Sequence, residues 1–404
     1  MSPSPGPERL RVAAVSSSRQ AWGAERAVMA LAAPLADRGI ELILASPPGG
    51  DLQEQWTTMG LRHVPLEIPE RNGVRGPDGD SPPSAGQLAA EGLTTLRSVR
   101  RIARTARAVD VVHSNSLWTH FDCAVAGRLA RRPVVLDLHD IVRPGVGRRL
   151  LTTAVALSSA AVAVSRAVAD CVGPSGSRHL QVTFPAVDLD VFRPGPPDPE
   201  TRRRLTSSPT DPLVGIIGRL DPEKGVDLVM RAVSALDGPA GTAHLVVVGS
   251  PAFGSDAYLE HLRAEAGRLL GDRVRFVGRI EDVPETLRAL DVLVNASVAE
   301  PFGLGVLEAQ AAGVPVVATG GGGVTDFLTD GDNALLVPVG DAAAMTTALG
   351  RLLRDPELGV RLACRGRAVA EAGHGIDLFA DAMADLYRRL AHRPPEAVDA
   401  ESGR

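Results

Sequence analysis

The residues best suited to chemistry lie in the last third of the chain, in the stretch Asn295-Ala-Ser-Val-Ala-Glu300-Pro-Phe-Gly-Leu-Gly-Val-Leu-Glu308. A short apolar strand, 292–294, runs into a polar loop. A helix is expected to begin between Pro301 and Gly303, where proline and small residues leave backbone N–H groups without intrahelical partners. Such a helix start is an anion site. Glu300 stands just before it and Glu308 two turns inside, on the order of 10 Å away at ~1.5 Å rise per residue. That separation suits one extended ligand touched at both ends better than a shared proton or metal. The same pattern also describes a surface helix whose first carboxylate is favoured by the macrodipole.

The second group is basic. Lys224 is the only lysine in 404 residues, every other basic side chain apart from histidine being arginine. A lysine that survives in such a chain suggests a position needing a compact ammonium rather than a planar fork. It lies in Gly218-Arg219-Leu-Asp-Pro-Glu-Lys224-Gly225, at the end of an expected strand. Arg219 and Lys224 could grip adjacent phosphates there; a solvated turn with ion pairs to Asp221 or Glu223 would use the same residues. No Gly-x4-Gly-Lys-Ser/Thr sequence occurs, which argues against a P-loop nucleotidase. Gly320-Gly-Gly-Gly323 offers another close approach of backbone to a ligand. His139-Asp140 and His113 fall at or near expected strand ends, where a lone histidine is often structural. No nucleophile elbow or Ser/His/Asp spacing points to a hydrolase.

These groups need strands that deliver them to one edge. From Arg11 onward apolar strands alternate with helical stretches, the pattern of a parallel α/β sheet. Strands are expected at 11–15, 40–45, 62–68, 109–112, 134–138, 160–164 and 180–184. A second series follows at 213–217, 244–248, 274–277, 292–294, 314–318 and 334–337. Pro34 predicts a kink or break in the helix 24–37. The Gly-, Pro- and Ser-rich segment 69–92 reads as disordered or as a binding loop. The organisation is thus α/β with two Rossmann-like domains, residues 1–190 and 213–375, joined by a Pro-rich linker at 191–212. An amphipathic helix, 376–391, able to pack on either domain, precedes a frayed tail ending at residue 404. Open parallel sheets bind ligands at their carboxyl edges, so a cleft between two such edges is the expected site.

Composition narrows the class. A formal charge of -5, a pI near 6.0 and 3% aromatics argue against a nucleic-acid partner. Cys123, Cys171 and Cys364 are widely spaced, and support neither a disulfide framework nor a zinc site. No signal-like N-terminus occurs, and the longest apolar run, 150–164, is too short to span a bilayer. A soluble cytoplasmic protein is expected, and without a basic amphipathic helix membrane association is not indicated.

Taken together, Glu300-Pro-Phe-Gly with Glu308-Ala, the Gly218-Arg219…Glu223-Lys224-Gly225 loop and the Asp330-Gly331-Asp-Asn333 stretch resemble the retaining family 4 glycosyltransferases of GT-B fold. The likeness covers almost the whole chain, including Gly23-Ala-Glu25, His113, His139-Asp140 and Pro185-Ala-Val-Asp188. It implies a nucleotide-sugar donor held mainly by the second domain. On that resemblance Arg219 and Lys224 bind the diphosphate, Glu300 the sugar hydroxyls and Glu308 the ribose, with the base near Arg279-Ile280. Backbone at Phe302, Gly303 and Leu304 meets sugar and phosphate, Gly23 approaches the phosphates, and His139 lies near the reacting carbon. Glu300 is then a positioning group, and no metal or other cofactor is required. Trp22-Gly23 replaces the common pair of glycines, and Thr325-Asp326 after the glycine run lacks the usual glutamate.

The leading expectation is transfer of a hexose or modified sugar from a nucleotide-diphosphate sugar to a hydroxyl on an acceptor bound by the first domain. The Arg-rich composition suggests an actinobacterium-like source. There, secondary metabolism such as antibiotic biosynthesis offers small-molecule acceptors, and envelope assembly offers glycans or glycolipids. A sugar-phosphate phosphorylase and a non-catalytic sugar-nucleotide-binding protein are the other readings.

Overall fold

The computed structural model describes residues 9–68, 85–173, 179–251 and 256–392. The chain divides into two units, one of residues 1–185 with 376–404 and the other of 186–375.

The sheet of the first unit is entirely parallel. Its strands are β1 (Leu10–Val15), β2 (Ile40–Ser46), β3 (His63–Pro65), β4 (Val111–Ser114), β5 (Val134–Leu138), β6 (Ala160–Ala163) and β7 (Leu180–Val182), ordered β3-β2-β1-β4-β5-β6-β7. β4, β5 and β6 are buried along their whole length, which is why they read as apolar runs interrupted only by His113, Ser114 and Asp137. β4 begins two residues later than the sequence suggests, so His113 and Ser114 lie inside the strand and not beyond it. The helix Gly23–Asp37 runs unbroken through Pro34, with Val28, Leu31, Ala32 and Leu35 buried. Burial of that face outweighs the one hydrogen bond the proline cannot donate. Residues 85–92, expected within an irregular segment, begin the long helix Ala85–Ala106; the remainder of that segment, 69–84, lies outside the described residues.

The last helix, Ile376–Ala391, belongs to this first unit. Arg38 at the end of Gly23–Asp37 donates to Asp381 at 2.6 Å and to Asp377 at 3.1 Å. Tyr387, fully buried, hydrogen-bonds His113 of β4.

The second unit carries β8 (Leu213–Ile217), β9 (His244–Val248), β10 (Val274–Gly278), β11 (Val292–Asn295), β12 (Val316–Thr319) and β13 (Leu335–Val337), all parallel and ordered β10-β9-β8-β11-β12-β13. Its core joins β8, β9 and β11 to Val229, Met230 and Val233 of the helix Val226–Ser234 and to Leu349 and Leu362 of later helices.

The expected linker, 191–212, is not an open connection. Asp198 caps a helix at Pro199–Leu205 by accepting from Thr201 N at 2.8 Å, with proline in the first turn. From that helix Arg202 donates to the carbonyls of Pro209, Ala289 and Asp211 and to Asp291 Oδ2, at 2.7 to 2.8 Å. Proline here shapes a cap and its flanking turns, and the segment is part of the second unit. Arg202→Lys, which cannot reproduce the fork, should lower stability by about 2 kcal/mol; an unchanged denaturation midpoint would show that this anchor carries no weight.

Candidate active site

The site in the second unit begins where β8 ends. The chain turns through Gly218, Arg219 and a 3-10 turn at Pro222–Lys224, then enters the helix Val226–Ser234. Val298 N donates to Glu223 O at 2.8 Å, tying this loop to the one that follows β11. The tie lets side chains far apart in sequence converge. Lys224 Nζ lies 2.8 Å from Glu300 Oε2, Ser297 Oγ donates to the same oxygen at 2.7 Å, and Asn295 Nδ2 does so at 3.1 Å. None of the three uses Oε1.

Glu300 is 8% exposed. Burial alone would raise its pKa, but the Lys224 charge and the three hydrogen bonds outweigh that effect and hold it below the usual carboxylate value. Gly218, Arg219, Lys224, Asn295, Ser297 and Glu300 are among the residues lining one pocket at the carboxyl ends of β8 and β11. This is the edge at which open α/β sheets take ligands.

Two glycines hold the Glu300 turn in place. Gly323 N donates to Glu300 O at 2.7 Å, and Gly322, at φ 77°, approaches so closely that a Cβ would stand 2.2 Å from that oxygen. The glycine run therefore clamps the carboxylate's own backbone, a packing role that its sequence does not announce. Gly303, at φ 97°, ends the turn as the cap of the helix Leu304–Ala311; a Cβ there would meet Val324 Cγ1 at 2.7 Å. The helix thus starts at Leu304 and not at Pro301–Gly303, because a left-handed residue cannot lie within it. Glu308 stands one turn in, not two.

The other anticipated residues divide. Arg219 remains beside Lys224 on the pocket wall, 48% exposed in its side chain and 3.6 Å from Asp221. Lys224 pairs with Glu300 and not with its own loop. Phe302 is buried, its ring centroid 5.0 Å from that of Phe327 and 5.9 Å from that of His374. Leu304 and Glu308 are part-buried on the helix, and Ile280 follows β10, outside the residues lining this pocket. Asn295 and Ser297 are not assigned by the motif; polar residues flanking Ala296 at the end of an apolar run are the signal that points to them.

In the first unit His139 follows β5. Its Nε2 lies 3.1 Å from Asp137 Oδ2 and 3.2 Å from Asn115 Oδ1. Asp137, an acid within a buried strand, also stands 3.3 Å from His113 Nε2. Burial opposes ionisation of Asp137, but His139 and His113 together bring its pKa below the usual range. Burial lowers the pKa of His139; Asp137, followed by Asp140 and Glu25, more than restores it, leaving it above its ordinary value. Glu25 is buried and accepts from Ser16 Oγ at 2.8 Å, its pKa raised by burial. Gly23 opens its helix, and a Cβ there would meet nothing within 4 Å, so packing does not require a glycine.

Two parallel α/β sheets, with an ion-paired polar pocket at the carboxyl edge of the second, are the architecture of the GT-B fold. Models for "Glycosyltransferase Family 4" and "Glycosyl transferases group 1" match residues 22–191 and 211–355. The D-inositol 3-phosphate glycosyltransferase of Xylanimonas cellulosilytica is 32% identical over 91% of this chain and 92% of its own. That of Acidothermus cellulolyticus is 34% identical over 72% and 69%, and that of Streptomyces avermitilis 40% identical over 53% and 48%. Among solved structures, Anabaena HepE in complex with UDP-glucose superposes with a TM-score of 0.79 at 24% identity, covering 95% of this chain and 100% of that one. The lipopolysaccharide glycosyltransferase WaaG does so with a TM-score of 0.67 at 16% identity, covering 93% and 99%. The chain belongs to glycosyltransferase family 4, and it is a hexosyltransferase by that membership. Among the described residues no helix is long and apolar enough to cross a membrane.

The Lys224–Glu300 pair has a testable pH signature. A carboxylate whose folded pKa is depressed stabilises the fold above its unfolded pKa, about 4.3 for glutamate, and that contribution is lost as pH falls through the lower folded value. Lys224→Ala removes the ammonium and lets burial raise Glu300. The variant should be less stable by about 2 kcal/mol at pH 7, with the deficit shrinking as pH falls through the carboxylate range. A deficit independent of pH in denaturant titrations would rule out the ion pair as its source.

Proposed function

We propose that the chain transfers a hexose, with retention of anomeric configuration, from a nucleotide-diphosphate sugar to a hydroxyl of a small-molecule acceptor, and that it does so without a metal. The observation that carries this reading is the Lys224 ammonium fixed in the pocket by Glu300. An ammonium has three donors, and Glu300 occupies one, so two are left for a diphosphate. Charge accumulates on that diphosphate as the bond to the sugar breaks, and an ammonium already held in place stabilises it without reorganising. Arg219 adds a half-exposed guanidinium suited to the same phosphates. These two cations fill the part that a divalent ion plays in other transferases.

Glu300 serves as a positioning group, through Lys224 and through the hydroxyls of the donor sugar. Backbone N–H groups at Phe302, Gly303 and Leu304 meet the donor's anionic oxygens at the helix start. Glu308 takes the ribose, and Ile280 the base. The first unit supplies Gly23, His139 and the acceptor contacts. A secondary metabolite, as in antibiotic biosynthesis, is the acceptor class preferred, and an envelope glycan the alternative. An inositol phosphate is favoured as a second reading by the names of the relatives.

The test is turnover with UDP, GDP, dTDP and ADP sugars against candidate acceptors, UDP sugars first, with the anomeric configuration of the product read by NMR. Lys224→Ala should lower kcat/KM by about 10²- to 10³-fold and weaken donor binding in calorimetry. EDTA should leave the wild-type rate unchanged. An inverted product would overturn retention, and wild-type donor affinity in Lys224→Ala would overturn the phosphate assignment.

A further inference from the structure

The buried charge of the first unit is arranged around one residue that the reading above does not use. Asp137 points Oδ2 at two imidazoles, His139 Nε2 at 3.1 Å and His113 Nε2 at 3.3 Å, and its Oδ1 is buried without a hydrogen-bond partner. The two contacts differ in kind. His113 Nε2 makes no aligned hydrogen bond, and the firm anchor of its ring is at the opposite edge, where Nδ1 lies 2.9 Å from the hydroxyl of Tyr387. His139 Nε2 sits instead between two acceptors, the Asp137 carboxylate and Asn115 Oδ1 at 3.2 Å.

A ring nitrogen flanked by two oxygen acceptors must carry the proton. The Nδ1 edge of His139 is then the one left for other partners: a lone pair when the ring is neutral, an N–H when it is charged. The position is over-determined. Asp137 is in a strand paired on both sides, Asn115 follows the neighbouring β4, and Tyr387 braces His113 from the last helix.

We propose that Asp137 is a positioning residue for sugar transfer: it holds the Nε2–H edge of His139 inside the first unit and so fixes the ring edge that His139 presents. This rests on the transferase reading for its consequence, though not for its geometry. Every titratable group facing His139 or its partners enters the charge balance. Glu25 comes from the first helix, Asp140 from the loop after β5, His113 from β4, His120 from the helix Leu117–Ala130, and Tyr387 from the last helix. Burial pushes His120 down to about 3, so it is neutral, and pushes the Tyr387 phenol far up, so it too is neutral. The carboxylates are left to favour the charged ring. A histidine whose folded pKa is raised stabilises the fold below its unfolded pKa, and loses that contribution as pH rises through the folded value.

The experiment is 15N NMR of the full-length protein labelled at histidine, with His139 assigned by the resonances lost in His139→Gln. In the wild type, His139 should titrate above 6.5 and be the Nε2–H tautomer once neutral. In Asp137→Asn its midpoint should fall below the wild-type value, and the tautomers should mix. A neutral wild-type ring protonated at Nδ1, or the same midpoint and tautomer in Asp137→Asn, would overturn the proposal. The wild-type tautomer decides the matter even where the variant fails to fold. In turnover assays Asp137→Asn should lower kcat by about 10- to 100-fold, the size of loss expected for a misoriented group near reacting atoms, with the donor KM unchanged. A shift in donor KM at unchanged kcat would also overturn it. If no transfer is detected with any donor, the transferase reading fails while the NMR result still tests the geometry.

Discussion

The second unit is organised around the requirement that the buried carboxylate of Glu300 remain ionised. Burying an unpaired charge costs several kcal/mol. Glu300 meets that cost with one ammonium and two neutral donors on a single oxygen. Each donor arrives on a different piece of backbone: Asn295 ends β11, Ser297 follows it in the loop, and Lys224 crosses from the loop after β8. The Val298–Glu223 main-chain bond and the Gly322 contact are then required, because a shift of either loop would leave the carboxylate short of donors. The glycines at 303 and 322 follow from the same constraint.

The first unit solves a parallel problem with a different chemistry. Asp137 is as deeply buried as Glu300 and has no lysine or arginine against it among the described contacts; its partners are histidines. An imidazole can give up its proton near neutral pH where an ammonium does not. The charge around Asp137 therefore responds to pH through His139, whereas the carboxylate at Glu300 is paired with an ammonium and no imidazole. Tyr387 extends this network to the last helix, so that a residue close to the end of the described chain braces a strand near the start of it.

Most of the strands of both sheets follow from apolar runs separated by helical stretches, since a parallel strand buried on both faces leaves little else to encode; their order in the sheet does not. Arg219, Lys224 and Glu300 were also legible, being charged groups in the loops that follow two such runs. What escaped was partnership. Lys224 is 76 positions from Glu300, and no local pattern reveals that one loop hydrogen-bonds to the other. Asp137 was hidden differently, as a polar residue inside Val134–Leu138, where period and propensity report only a strand. The Pro-rich 191–212 segment misled because proline marks a helix cap as readily as a flexible connection; only the bonds of Arg202 distinguish the two.

The solitary lysine is intelligible from the geometry of its partner. A guanidinium at position 224 would seek both carboxylate oxygens in a planar fork. Glu300 already receives Ser297 and Asn295 on Oε2, so a fork would have to recruit Oε1 or displace one of those donors. An ammonium is a point donor that adds to Oε2 without demanding its neighbour. It also keeps two N–H groups that can turn toward a ligand, whereas a fork committed to a carboxylate has fewer in any one direction. In a chain whose composition favours arginine at every other position, the convergence of three donors on one oxygen is sufficient physical reason for lysine here.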